Sequence, residues 1–296
     1  MNDITAIGID LGGTRVKGVI VDPEGVIFSQ YYHSIEQDNW KQAVLDTVHV
    51  LKSKFPGDHL IGISAPGIPS EDNDRISYMP GRLQGLEGLV WSELLERPVH
   101  VVNDAVAALA AEAKFGTARD IRNAIMLTLG TGVGGAILID GKIYNGAFQK
   151  AGHLGHITLN YSGKPDITGM PGSLEDAIGN CTISERSAGR YHYTHDLLED
   201  VRKNDPSAKE IWMLSVQKLA VAIASFTNIL SPQLVIIGGG IAEAGDLLFE
   251  PLEEYLSEYE WRAGGNKAQI VRACFGDMAG ALGAAGFAMM KNETSS

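Results

Sequence analysis

Three glycine-rich turns, three acids at strand or helix ends, and a pair of closely spaced histidines carry the chemistry this sequence can perform. The turns read Asp10-Leu11-Gly12-Gly13-Thr14, Gly130-Thr131-Gly132-Val133-Gly134-Gly135 and Gly238-Gly239-Gly240. Glycine lets a backbone approach a ligand closely and present N–H groups that cradle phosphate oxygens. Asp10 closes an apolar run and could hold the water shell of a magnesium ion, which usually keeps several waters. A tight turn without a ligand explains the first motif alone equally well, and a strand-to-helix loop explains the third. Three such turns, each closing a core strand, are harder to dismiss.

Asn103-Asp104-Ala105 follows Val101-Val102. A carboxylate between a strand and a helix is placed to accept a hydroxyl proton while that oxygen attacks phosphorus. Asp is also a favoured helix N-cap, and both readings stand at this point. Gly152-His153-Leu154-Gly155-His156 sets two imidazoles three residues apart, as a binding loop, incidental histidines or half of a metal site. The turn-rich stretch Gly169–Ser173 then leads to Glu175, just before a helical start. The second glycine turn satisfies G-x-G-x-x-G, but that pattern signals a dinucleotide only when a helix follows. Here Ala136–Ile139 follows and reads as a strand, so no helix N-terminus is available for a pyrophosphate. A nicotinamide oxidoreductase is disfavoured, and no G-x-x-x-x-G-K-[ST] loop exists.

Periodicity supplies the elements that position these residues. Strands are expected at Ala6–Asp10, Arg15–Val21 and Val26–Tyr32. A helix follows over Asp38–Lys54, then a strand at Leu60–Ala65, a short helix at Leu89–Leu95, a strand at Val99–Val102 and a helix at Ala105–Phe115 closed by Gly116. The order then restarts with strands at Ala124–Leu129, Ala136–Ile139 and near Lys142–Tyr144. An interruption over about 146–205 precedes a long helix at about Ser207–Leu230. A strand at Gln233–Ile237, a helix at about Gly245–Tyr259, a strand at Ala268–Phe275 and a helix at Gly280–Lys291 complete the chain. One supersecondary unit is thus used twice, and the repeat decides the fold. Two related lobes with matching glycine turns suggest a phosphate chain gripped from both sides of a cleft.

The chain has 296 residues, which suits two domains at roughly 100–200 residues each. Hydrophobic residues make up 45% and charged residues 20%, ordinary values for a globular protein. The net charge of −12 argues against a nucleic-acid partner, whose affinity is built on Lys and Arg. Two cysteines, Cys181 and Cys274, do not make a disulfide scaffold and read as free thiols in a reducing cytoplasm. Met1–Ala6 has no signal-peptide pattern, and no stretch is expected to reach the roughly 18–20 apolar residues of a membrane span.

Taken together these residues resemble the ROK family, named for repressor, open reading frame and kinase. The likeness runs nearly end to end, through Asp10–Thr14, Ala65-Pro66-Gly67, Asn103-Asp104-Ala105, Gly130–Gly135, Gly155-His156, Leu174-Glu175, Gly238–Gly240 and Ala281-Leu282-Gly283-Ala284-Ala285. It implies an α/β fold of duplicated actin-like ATPase (ribonuclease H-like) domains, two lobes around a central cleft. The expected lobes are 1–116, with the helix of about 278–296 packing back on it, and 117–277, carrying a sugar-site insertion at about 146–205. The implied activity is ATP-dependent phosphorylation of a hexose, at the primary hydroxyl on carbon 6. The resemblance makes Asp104 the catalytic base and puts Gly67, Asn103, Asp104, His153, His156 and Glu175 at the sugar. The ATP set is Asp10, Gly12, Gly13, Thr14, Lys17, Thr131, Gly132, Gly239 and Gly240, with Asp10 holding Mg²⁺ through water. Family repressors carry an added N-terminal helix-turn-helix, whereas this chain opens at its first strand and so resembles the kinase branch. A cytoplasmic homodimer is expected, with no membrane or nucleic-acid partner.

Two departures from the family pattern bear on function. Family members usually have Gly-Glu-x-Gly-His where this chain has Gly152-His153-Leu154-Gly155-His156, so an imidazole replaces a sugar-binding carboxylate. They also place three cysteines in C-x-C-G-x-x-G-C-x-E to bind zinc. The corresponding residues here are Asp166, Thr168 and Ser173, a poor set for a structural Zn²⁺. No structural zinc is expected, and hydrogen bonds among Asp166, Thr168, Ser173 and His156 could hold the loop instead. Glucose is the default acceptor, with N-acetylmannosamine, N-acetylglucosamine or another sugar as alternatives. A catalytically idle sugar-binding regulator is the rival suggested by His153.

Overall fold

The computed structural model describes residues 4–36, 39–79, 81 and 83–295, with backbone alone at 294 and 295. The expected helix start at Asp38, the residues Met1–Asp3 and the last residue, Ser296, lie outside the described residues. The first half of the chain forms β1 (Ala6–Leu11), β2 (Arg15–Val21), β3 (Ile27–Ser34), α1 (Trp40–Lys54), β4 (Leu60–Ala65), β5 (Ile68–Pro69), β6 (Ile76–Tyr78), α2 (Trp91–Leu95), β7 (His100–Asn103) and α3 (Asp104–Phe115). The second half forms β8 (Ala124–Leu129), β9 (Val133–Ile139), β10 (Lys142–Ile143), α4 (Leu174–Ile178), α5 (Ile183–Arg186), α6 (Thr194–Arg202), α7 (Pro206–Leu230), β11 (Leu234–Gly238), α8 (Asp246–Tyr259), β12 (Gln269–Arg272) and α9 (Ala279–Ser295).

The repeat read from the sequence is present in the sheets. One sheet runs β3-β2-β1-β4-β7 and the other β10-β9-β8-β11-β12. In each, a central strand pairs antiparallel with the strand after its glycine turn and parallel with the next strand in the core. Two compact units result. One comprises 1–120, 143–151 and 274–296, and the other 121–142 and 152–273. The segment 143–151 therefore groups with the first unit, although its neighbours in sequence belong to the second.

In the first unit, Ile7, Ile9, Ile61 and Ile63 meet Trp40, Val44, Leu51 and Trp91 in one apolar cluster. Helix α1 buries Trp40, Ala43, Val44, Thr47, Val48 and Leu51, the stripe that a period of 3.6 residues puts on one face. Helix α9 covers the other face of the sheet at backbone distance. A Cβ on Gly8 would strike the carbonyl of Ala281, and one on Gly62 that of Ala284. In the second unit, α7 is the core helix, burying Trp212, Val216, Leu219, Ile223 and Phe226 among others. By length and composition α7 could cross a membrane, the one such helix among the described residues. The expectation that no stretch reaches that threshold is therefore corrected. The reason is that α7 is apolar along much of its length because it fills the unit's core.

Strand β9 begins at Val133, three residues before its expected start, because Gly134 and Gly135 are extended strand residues and not part of the turn. Strand β12 is shorter than expected, since the Cys274 N–H turns from the sheet to donate to Glu112 Oε1 at 2.7 Å.

Candidate active site

In the first unit the glycine turn joins β1 to β2, with Leu11 paired to Val16. Gly12 N–H donates to Arg15 O at 3.1 Å, while among the described residues the Gly13 and Thr14 amides meet no acceptor. Asp10 stands at the end of β1. It accepts from Ser64 Oγ at 3.2 Å and lies 3.5 Å from Lys17 Nζ. Burial raises its carboxyl above the ordinary Asp value, and Lys17 and Ser64 offset part of that rise. A side chain at Gly280 would strike this carboxylate, so the bare helix start leaves it room. A carboxylate oxygen at the end of β1, beside a glycine turn, is the donor type that a hydrated magnesium ion takes. Lys17 is buried, and its Nζ donates to both the backbone carbonyl and Oδ1 of Asp277, each at 2.7 Å. Arg15 reaches the same Oδ1 at 2.7 Å. These cations hold the Asp277 carboxyl below its usual range, Lys17 foremost.

Asn103 and Asp104 join β7 to α3, and the structure separates their roles. Asn103 is the N-cap, its Oδ1 accepting from Ala105 N–H at 3.0 Å. Its Nδ2 donates to Gly67 O at 2.9 Å, tying the helix start to a residue at φ +107°. Asp104 is the first helical residue and is exposed, with Oδ1 at 2.8 Å from Ala105 N. Capping, the rival explanation for Asp104 in the sequence, thus falls mainly to its neighbour.

In the second unit the turn between β8 and β9 is one residue tighter, with Leu129 paired to Val133. Gly130 N–H donates to Gly132 O at 2.9 Å, while the Thr131 and Gly132 amides meet no acceptor among the described residues. Gly239, at φ +84°, lies against this turn, since a Cβ there would run into the Leu129 backbone. The second and third glycine turns therefore adjoin, and Gly239 and Gly240 are exposed.

His153 precedes the 3-10 turn Leu154–His156. Gly155 lets that turn lie on β9, for a Cβ there would strike Val133 O. His156 Nδ1 lies 2.8 Å from Asp166 Oδ2. The other Asp166 oxygen accepts from Thr168 N–H at 2.8 Å, Thr168 Oγ1 at 2.7 Å and Met170 N–H at 3.0 Å. Burial disfavours the charge, but these bonds from Thr168, His156 and Met170 outweigh it and hold the Asp166 carboxyl at about 2. An ionised carboxylate only accepts, so His156 Nδ1 carries a proton. In the neutral ring Nε2 is then an acceptor. The expected loop network is present for Asp166, Thr168 and His156. Ser173 departs from it and caps α4, accepting from Asp176 N–H at 3.2 Å.

Glu175, in the first turn of α4, accepts from Val133 N–H at 3.0 Å through Oε2. His156, Asp166 and Glu175 each bring a ligand atom to within 4.8 Å of one another. They make a poor zinc site: there is no thiolate, one Asp166 oxygen serves three loop donors, and Glu175 serves a backbone amide.

The candidate residues thus divide between the units. Asp10, Gly12–Thr14, Lys17, Gly67, Asn103 and Asp104 lie in the first, and Thr131, Gly132, His153, His156, Glu175, Gly239 and Gly240 in the second. Sequence reasoning missed Asp277, whose contacts join residues some 260 positions apart, and Arg186. The latter donates to the carbonyls of Ile178 and Gly179, to Thr182 and to Ser215, and burial lowers it to about 10. No local pattern marks either residue.

A family model described as the ROK family matches residues 6–291. A glucokinase from Streptomyces coelicolor is 30% identical, over 95% of this chain and 96% of that one. The crystal structure of a ROK hexokinase from Thermus thermophilus superposes with a TM-score of 0.89 at 25% identity, covering 98% of this chain and all of that one. A ROK family glucokinase from Streptomyces griseus, in complex with glucose and AMPPNP, gives a TM-score of 0.77 at 27% identity, covering 97% and 99%. With its sheets, its turns and its relatives in agreement, this chain belongs to the ROK family and has the actin-like ATPase fold.

Proposed function

We propose that this protein transfers the γ-phosphate of ATP to the carbon-6 hydroxyl of a hexose, glucose first among the acceptors. Membership of the family and its glucokinase relatives make it an ATP-dependent sugar kinase. The sugar and the position are the finer reading. The observation that carries the chemical step is the division of labour at the head of α3, where Asn103 caps the helix and Asp104 stands exposed.

In this reading the phosphates take the Gly13, Thr14, Thr131 and Gly132 amides, and Gly239 and Gly240 lie at the adenosine. Asp10 would hold magnesium through water, and the ion supplies charge neutralisation on the phosphates. Lys17 adds a buried cation to the same turn, held in place by Asp277. Asn103, Glu175, His153 and His156 bind sugar hydroxyls, with Gly67 beside them. His156 offers Nε2 to the sugar, because Asp166 takes Nδ1. Asp104 accepts the proton of the attacking hydroxyl. Phosphoryl transfer gains mostly from positioning and charge neutralisation, and a general base adds about 10²–10⁴-fold. The reading includes a cytoplasmic homodimer: ATP and two unpaired thiols suit that compartment, and sizing in solution tests the dimer.

The test is an ADP-release assay over hexoses, N-acylhexosamines and disaccharides, with the product's phosphate position read by NMR. Glucose 6-phosphate is the expected product. Asp104→Asn should lower turnover by about 10²–10⁴-fold with an unchanged melting temperature. Near-normal turnover in that variant would remove Asp104 from its role, and absence of ADP release with every sugar would remove the kinase reading.

A further inference from the structure

We propose that Glu175 is a positioning residue for the nucleotide turn at Gly130–Val133, over and above its place in the sugar set. The inference rests on the reading that this turn takes ATP phosphates. Three hydrogen bonds tie the segment 174–182 to the turn. Val133 N–H donates to Glu175 Oε2 at 3.0 Å, Asn180 N–H to Gly130 O at 3.0 Å, and Cys181 N–H to Thr131 O at 2.7 Å.

These bonds aim the amides that matter. In a planar trans peptide the carbonyl and the following N–H point in opposite directions, and the described chain has no cis bonds. Anchoring Gly130 O on Asn180 therefore turns Thr131 N–H away from the segment. Anchoring Thr131 O on Cys181 does the same for Gly132 N–H. Glu175 takes the third amide, Val133 N–H, and so fixes where the turn enters β9. The fit is close, since a Cβ on Gly132 would strike the Glu175 carboxylate. The segment is itself held from behind, Arg186 gripping the Ile178 and Gly179 carbonyls and Asn180 Oδ1 accepting from Thr194 N–H at 2.7 Å. Glu175 thus serves two substrates from one carboxylate, binding sugar directly and orienting phosphate donors through the backbone.

The experiment is calorimetric binding of magnesium–AMPPNP to the full chain without sugar. Wild type is compared with Glu175→Met, which keeps the bulk but cannot accept a hydrogen bond, and Glu175→Gln, which still can. The Met variant should weaken nucleotide binding by about tenfold, the effect of leaving a buried amide unpaired. The Gln variant should stay within about twofold of wild type for nucleotide while its KM for sugar changes. Unchanged nucleotide affinity in the Met variant would confine Glu175 to the sugar and overturn the proposal. Equal weakening in both variants would also overturn it, by assigning the effect to charge. Should the Met variant unfold, Gly132→Ala displaces the same carboxylate with Glu175 intact, and unchanged affinity there has the same force. If wild type itself binds no nucleotide, the ATP reading of the turn fails first, a result distinct from these.

Discussion

The turns at Gly12–Thr14 and Gly130–Gly132 hold the same place in duplicated sheets, yet they are supported in opposite ways. Charged side chains surround the first: Asp10, Arg15, Lys17 and Asp277 form one linked set around the start of β2. Backbone carries the second, through amides of Asn180 and Cys181 and a single carboxylate, Glu175. The difference follows from what each copy acquired. The second unit holds the insertion from Gly152 onward, and that part packs onto β9 through Gly152, Leu154 and Gly155. The strand order is common to both copies, while the segment 174–182 gives one copy three hydrogen bonds onto its glycine turn.

The sharpest way to break this comparison is a pair of glycine substitutions. A Cβ on Gly13 meets nothing within 4 Å, whereas one on Gly132 strikes Glu175. Gly132→Ala should lower kcat/KM for ATP by about 30- to 100-fold, the scale of misplacing a binding group by a fraction of an ångström to an ångström. Gly13→Ala displaces no protein group and should change folding stability by less than about 0.5 kcal/mol, the scale of exposed substitutions, whereas Gly132→Ala should cost more. Equal losses in both variants would mean that the turns are supported alike.

Asp166→Asn probes the loop that carries His156. The folded-state carboxyl lies at about 2, below the ordinary 3.8. Its contribution is therefore fully present above pH 3.8 and is lost as pH falls through 2. Wild type should therefore be the more stable at neutral pH, measured as the gap between wild-type and variant denaturation midpoints. That gap should be constant from pH 7 to about pH 5 and shrink on acidification toward pH 2. A gap that does not narrow would assign the loop's order to something other than the ionised carboxyl. The smallest expected effect concerns zinc. Chelation followed by magnesium alone should restore full activity in the assay. A requirement for added zinc would show that His156, Asp166 and Glu175 bind it despite their chemistry.

Much of the frame was legible. Strands at Arg15–Val21, Leu60–Ala65 and Ala124–Leu129 fall on the residues expected, because their apolar runs are bounded by turn residues. The insertion read as an irregular interruption holds α6, whose buried Thr194, Leu197, Leu198 and Val201 carry a helical period that was overlooked, and α4 and α5, which are too short for one to register. The small hairpin of β5 and β6 was missed for the same reason. At the site, the motif residues Asp10, Asn103, Asp104, His156 and Glu175 were visible as types at characteristic spacings. Their division of labour was not. Whether Asn103 or Asp104 caps α3 is settled by backbone angles, and the bonds from Asn180 and Cys181 come from peptide groups, which every residue carries. Asp277 acts through contacts some 260 positions away, and Arg186 mainly serves the carbonyls of Ile178 and Gly179, which carry no side-chain signature.

The backbone-close seat of α9 has a consequence for how the molecule is made. Its residues lie on β1 and β4, against Gly8 and Gly62, yet they are synthesised roughly two hundred residues later than those strands. The opening strands of the nascent chain must wait, one sheet face uncovered, while roughly the next two hundred residues are synthesised, and such sequence-distant closure is slow. The second unit, nearly contiguous in sequence, has all its parts in hand before the first is sealed.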